Sequence, residues 1–229
     1  YLDWNATTPL RREARSAIAA ALEVTGNPSS IHAEGREARR LVTEARAAVA
    51  AALGAEPRNV IFTSGGTEAN VMALAPGLHR GAGALVERLL VSAIEHVSVL
   101  AGGQFPADRI ARIHVDRDGV ADLDDLAARL KGGPPALVSL MLANNETGAI
   151  QPVAAAADLV QAAGGLLHVD AIQGFGRIPV CLKELKVDLV TVSGHKIGGP
   201  KGVGAVVTAG EVTWPQPLIA GGGQEQNRR

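Results

Sequence analysis

Residues 166–169, Leu-Leu-His-Val, form a buried-looking run that ends in Asp170, and residues 187–192 form a second that leads into Ser193-Gly194-His195-Lys196. The two runs read as one strand-helix-strand unit, with Asp170 and Lys196 separated by 26 positions. In a parallel sheet both carboxyl ends face the same crevice, the usual ligand site of open α/β sheets. Such a chain is expected to be α/β, with its chemistry at those two strand ends.

Lys196 stands between its strand and the turn Gly198-Gly199-Pro200-Lys201-Gly202. A lysine placed there can form a Schiff base with a carbonyl cofactor while its neighbours Ser193 and His195 hold a phosphate. A solvated lysine in a βα turn is the alternative, because Lys-Gly turns are common. Asp170 could keep a pyridine nitrogen protonated, as the chemistry of pyridoxal phosphate (PLP) requires, or it could cap a helix, the commoner role for a strand-end Asp.

Elsewhere the chain alternates strand and helix. Thr7-Thr8-Pro9 suits the start of a helix over 9–22. Residues 37–53 place Ala38, Leu41, Val42, Ala45, Val49 and Ala52 on one face, with Gly54 as the stop. Strands are expected over 59–63, 89–94, 109–115, 136–142 and 203–208, besides the two above. Helices are expected over 68–75, after Asp122, and over 153–163. Seven strands with interleaved helices predict a mostly parallel seven-stranded sheet with helices on both faces. In the turn Ser64-Gly65-Gly66-Thr67, glycines admit a close anion and the following helix start attracts it. An ordinary glycine-containing βα turn would look the same.

Aromatic residues make up only 3% of the chain against 47% hydrophobic, so the core must be built from Ala, Val, Leu and Ile. A net charge of −1 with mixed signs gives no electrostatic case for nucleic acid. The single cysteine, Cys181, excludes an internal disulfide and suits a reducing, cytoplasmic compartment. No window reaches the 18 or so uninterrupted apolar residues of a membrane span. A start at Tyr1 rather than Met leads us to expect residues in front of it.

Five further blocks accompany the lysine motif: residues 1–9, Gly26-Asn27-Pro28-Ser29-Ser30-Ile31-His32, residues 63–70, Asn144-Asn145-Glu146-Thr147-Gly148, and Gly221-Gly222-Gly223-Gln224-Glu225. With Ser193-Gly194-His195-Lys196 they resemble, in order, the blocks of cysteine desulfurases of the NifS/IscS type, fold-type I PLP enzymes of aminotransferase class V. The resemblance implies PLP on Lys196, with Asp170 at the ring nitrogen and Gln173 and Asn145 at the ring oxygen. It implies Gly66, Thr67, Ser193 and His195 near the phosphate, His96 stacked on the ring and suited to proton transfer, and Asn27 near the substrate. It also implies L-cysteine as substrate, a homodimer with the site at the interface, and a sulfur-acceptor protein.

The match has gaps. Cys181 lies where the family usually carries an acidic residue, and the family's catalytic cysteine lies more than a hundred residues beyond its lysine. Gln226-Asn227 stands where Arg-Gly is usual. The resemblance further implies that residues 1–12 belong to a small domain and 13–229 form the large PLP-binding domain, the C-terminal small domain being absent. An aminotransferase or selenocysteine lyase of the same fold is the nearest alternative. A nucleotide-binding module on residues 198–204 is remote, since neither G-x-G-x-x-G nor a Gly-Lys-Ser/Thr ending is present.

Overall fold

Apolar residues alternate between two clusters along the central strands. Leu89 and Val91 join one cluster and Leu90 the other; Leu137 and Val138, and Leu166 and Leu167, divide in the same way. Strands buried on both faces need cover on both faces, which is the physical reason for a parallel sheet between helix layers.

The computed structural model describes residues 1–228. Among them the strands are β1 (Val60–Thr63), β2 (His79–Arg80), β3 (Arg88–Ser92), β4 (Ile110–Ile113), β5 (Ala136–Met141), β6 (Leu166–Asp170), β7 (Leu189–Ser193), β8 (Gly204–Thr208) and β9 (Val212–Thr213). Seven of them form one sheet in the order β1-β8-β7-β6-β5-β3-β4, and β2 pairs with β9 apart from it. Only β8 runs against its neighbours. The mostly parallel seven-stranded sheet is thus as expected. The two-residue strands of the small pair carry no periodicity that a sequence could show.

The helices are α1 (Arg12–Leu22), α2 (Ala33–Leu53), α3 (Gly66–Ala73), α4 (Val97–Leu100), α5 (Leu123–Leu130), α6 (Val153–Ala162) and α7 (Leu182–Leu185). Residues of α2, α5, α6 and α7 join the cluster on one face. Those of α3 and α4 join the other. No helix among the described residues is long and apolar enough to cross a membrane.

Two of the helix starts that differ from expectation have identifiable causes, one long-range and one local. α1 begins at Arg12 because the Thr8 and Arg11 amides are tied to the His195 and Gly198 carbonyls, at 2.9 Å each, which holds the chain extended past Pro9. α2 begins four residues early because the His32 side chain accepts the Gly35 N–H. At its other end Gly54, at φ 67°, closes α2 in the left-handed region.

Candidate active site

The carboxyl ends of β1, β3, β5, β6 and β7 open into one cleft of about 540 Å³. Asp170 closes its floor from β6. Its Oδ1 accepts the Ile172 N–H at 3.0 Å, so it fixes a turn and caps no helix. Its Oδ2 accepts the Asn70 amide at 2.8 Å. Burial pushes the Asp170 carboxyl up, opposed by those two donors and by His96 and Lys196. A buried carboxylate so surrounded is a built partner for a cationic ring nitrogen.

On the neighbouring strand, β7 ends at Ser193 and a 3₁₀ turn, Gly194–Lys196, delivers the lysine. Burial, with the Arg177 guanidinium nearby, holds the Lys196 ammonium below its ordinary range, while Asp3 and Asp170 oppose this. Its Nζ donates to the Asn5 carbonyl, which also accepts from Gln173 Nε2 at 2.9 Å. The N-terminal segment therefore runs along the cleft, and Thr7 accepts or donates to His195 Nδ1 at 3.1 Å.

The third wall is the turn from β1 into α3. Gly66 and Thr67 open α3, where the first amides have no intrahelical partner and the helix dipole is positive. A Cβ at Gly66 would lie 2.4 Å from Ile172 Cδ1, so a side chain there would require Ile172 in the loop after Asp170 to move. One at Gly204 would lie 2.6 Å from the Gly65 backbone, which packs the turn against β8.

His96 and Asn145 complete the lining from β3 and β5. His96 is the N-cap of α4, its Nδ1 accepting the Ser98 amide at 3.2 Å. The adjacent asparagines divide their labour: Asn144 Oδ1 accepts the Glu146 and Thr147 amides and builds the turn, while Asn145 faces the cleft.

Of the residues picked out by sequence, Gly66, Thr67, His96 and Asn145 thus meet Asp170, Gln173, Ser193, His195 and Lys196 in this cleft. Asn27 does not join them: its side chain accepts the Ser29 amide at 2.9 Å in an exposed turn. Cys181 also lies elsewhere, against Gly54 at the end of α2.

Sequence reasoning missed the buried residues behind the floor, which are Asn70, Ser98, Thr191, His168, Ser139 and Glu95. The signal for two of them was visible, since His168 and Thr191 interrupt otherwise apolar strands. Glu95 Oε1 accepts from Ser92 Oγ at 2.6 Å and from the Met141 amide at 2.7 Å, bracing β3 against β5. Burial pushes the Glu95 carboxyl up to about 8.

Residues 1–228 match the aminotransferase class-V family model. The chain belongs to that family. It is 44% identical over 233 residues to "Cysteine desulfurase IscS" of Dictyoglomus turgidum, covering all of this chain and 58% of that protein. Its fold overlays a NifS-like protein from Rickettsia africae with a TM-score of 0.88 at 36% identity, covering 100% of this chain and 63% of that one. A structure of SspA in complex with cysteine matches with a TM-score of 0.83 at 27% identity, covering 100% of this chain and 67% of that one. The chain spans about 58–60% of the length of the first curated relatives it matches.

The class-V cofactor is PLP, and the cleft fits it. Ser193 Oγ and Gln173 Oε1 are buried with no protein partner, and both line the cleft. Buried polar atoms are normally paired, so these two call for partners supplied by a bound group. A phosphate-bearing pyridine would meet Gly66, Thr67 and Ser193 at one end and Asp170 at the other, with Lys196 between the polar groups of one wall.

Proposed function

We propose that the protein is a PLP-dependent cysteine desulfurase, converting L-cysteine to L-alanine while its sulfur passes to a cysteine thiolate as a persulfide. One observation carries the PLP site: Asp170, at the end of β6, and Lys196, in the turn that follows the adjacent parallel strand β7, line the same cleft as the helix start Gly66-Thr67. The curated relatives named cysteine desulfurase support the choice of substrate. When bound, the cofactor supplies an electron sink that loosens bonds at the α- and β-carbons of an amino acid.

The chain's own residues set the conditions. Lys196, with its depressed basicity, can carry the cofactor and then take or return a proton at Nζ. Asp170 holds the charge of the ring nitrogen, and Gly66 and Thr67 anchor the phosphate through backbone amides. Cys181 is assigned no part, because it is remote from the cleft. The thiolate that receives sulfur comes from another part of the full-length protein, with a sulfur-acceptor protein downstream.

The same reading places residues 1–12 in a small domain and 13–229 in the large one, within a cytoplasmic homodimer whose site lies at the interface. The test is L-alanine formed from L-cysteine by the full-length protein. Equimolar alanine and persulfide, both lost in Lys196→Ala, support the reading; a keto acid product would replace it with transamination.

A further inference from the structure

From the cleft-lining His96 inward, seven side chains form one chain of hydrogen bonds whose donor direction can be worked out from its ends. His96 Nδ1 accepts the Ser98 backbone N–H at 3.2 Å. An amide can only donate, so Nδ1 carries no proton and the neutral ring holds its proton on Nε2. Ser98 Oγ, 2.8 Å from the same Nδ1, must then donate to it. That hydroxyl in turn accepts from Asn70 Nδ2 at 2.9 Å.

Asn70 is fully buried and leaves nothing unused. Its Nδ2 also donates to Asp170 Oδ2 at 2.8 Å, and its Oδ1 accepts from Thr191 Oγ1 at 2.6 Å. Thr191 has given away its hydrogen, so it accepts from His168 Nε2 at 3.1 Å. His168 Nδ1 then accepts from Ser139 Oγ at 2.8 Å. Burial drops the His168 pKa to about 3, so this ring is neutral and has one proton to place. Every bond runs the same way, from Ser139 toward Asp170 and His96.

We infer that Asn70 and Ser98 are positioning residues that fix two proton positions at the cleft: a donor held on Asp170 Oδ2, and an Nε2-protonated, Nδ1-capped His96. The consequence for His96 is chemical. In this form it offers a cleft ligand a donor and keeps no free lone pair. The Asp170 arm rests on the PLP reading; the His96 arm does not.

The two arms are tested separately. Nitrogen-15 spectra of histidine-labelled, cofactor-free full-length protein at pH 8, where an ordinary imidazole is neutral, should show a pyrrole-type Nε2 and a pyridine-type Nδ1 for His96. A His96→Gln variant assigns the signal. The Nδ1–H tautomer, or an exchanging mixture, would overturn this arm whatever the protein binds. For the other arm, Asn70→Leu should raise the dissociation constant for PLP at least about tenfold, the loss of one hydrogen bond to a charged group. Thr191→Val, which frees the Asn70 amide to turn, should weaken binding in the same direction, and Thr191→Ser should restore it. If Asn70→Leu does not fold, the Val and Ser pair decides the arm alone. Unchanged affinity in the folded variants, or equal affinities for Val and Ser, would overturn it.

Discussion

Asp170, Glu95 and His168 are ionisable groups within the protein interior, and their burial has opposite consequences for charge and for stability. Asp170→Asn keeps an acceptor for the Ile172 amide but removes the negative charge. If that charge holds a ring cation, the loss is about 1.5–3 kcal/mol of charge-assisted bonding, or roughly ten- to a hundredfold in turnover. Full turnover by Asp170→Asn at saturating cofactor would reduce Asp170 to a turn-former. Glu95 follows a different rule. Its folded-state pKa is raised to about 8, so the stability it contributes is present below the ordinary carboxylate range and is lost as pH climbs toward 8. His168, lowered to about 3 by burial, contributes stability above neutrality that is lost as pH falls below the ordinary imidazole range. Glu95→Gln should therefore melt at a smaller deficit, or at a gain, relative to wild type at pH 8 than at pH 5. Parallel melting curves for the two proteins across that range would show that Glu95 is ionised when folded. The partners of these groups were not legible in sequence: Asn70 meets Asp170 across 100 residues and Thr191 across 121. Such pairings exist only once the sheet order is known.

Helices and strands were legible where apolar periodicity or an uninterrupted apolar run carried them, as in α2, β5, β6 and β7. Their ends were less so, because individual side-chain bonds that periodicity does not reveal set them. Ser92 bonds Glu95 and stops β3 short of Ile94, and His32 is an uncommon cap that starts α2 early. The turn Ser64-Gly65-Gly66-Thr67 was read as one where glycines admit a close anion. Gly66 has ordinary negative-φ backbone; the nearest obstacle to a side chain is Ile172 Cδ1, 2.4 Å from where a Cβ would stand. Gly66→Ala should push the turn off the loop that follows Asp170, with an overpacking cost of about 1–3 kcal/mol. We expect a lower melting temperature together with weaker PLP binding. An alanine variant with unchanged melting and affinity would mean that Ile172 swings aside freely. The C-terminal end of the described chain is anchored by a comparable element-scale device. Glu225 pairs with Arg46 through two bonds of 2.7 and 2.8 Å and accepts the amide of Phe62 on the edge strand β1. This joins the Gly221-Gly222-Gly223 loop to the strand that feeds the phosphate turn.

For the molecule as a whole, one sheet brings five strand ends to one cleft, and all the cofactor residues read from sequence gather there. Asn27 does not, because the turn that holds it lies outside the cleft. Cys181 is the thiol that a reading by residue type alone would select, and it lies against Gly54 rather than among the residues that line the cleft. Cys181→Ser should leave L-alanine production by the full-length protein within about twofold, under ~0.5 kcal/mol in barrier. A hundredfold loss in protein that still binds PLP and melts normally would place the persulfide on Cys181. The central claim is that Lys196 carries the cofactor, and borohydride reduction followed by peptide mass spectrometry addresses it directly. The pyridoxyl group should be found on Lys196 and be absent from Lys196→Ala. Stoichiometric labelling of Lys183, Lys186 or Lys201 instead would contradict the assignment of the cleft.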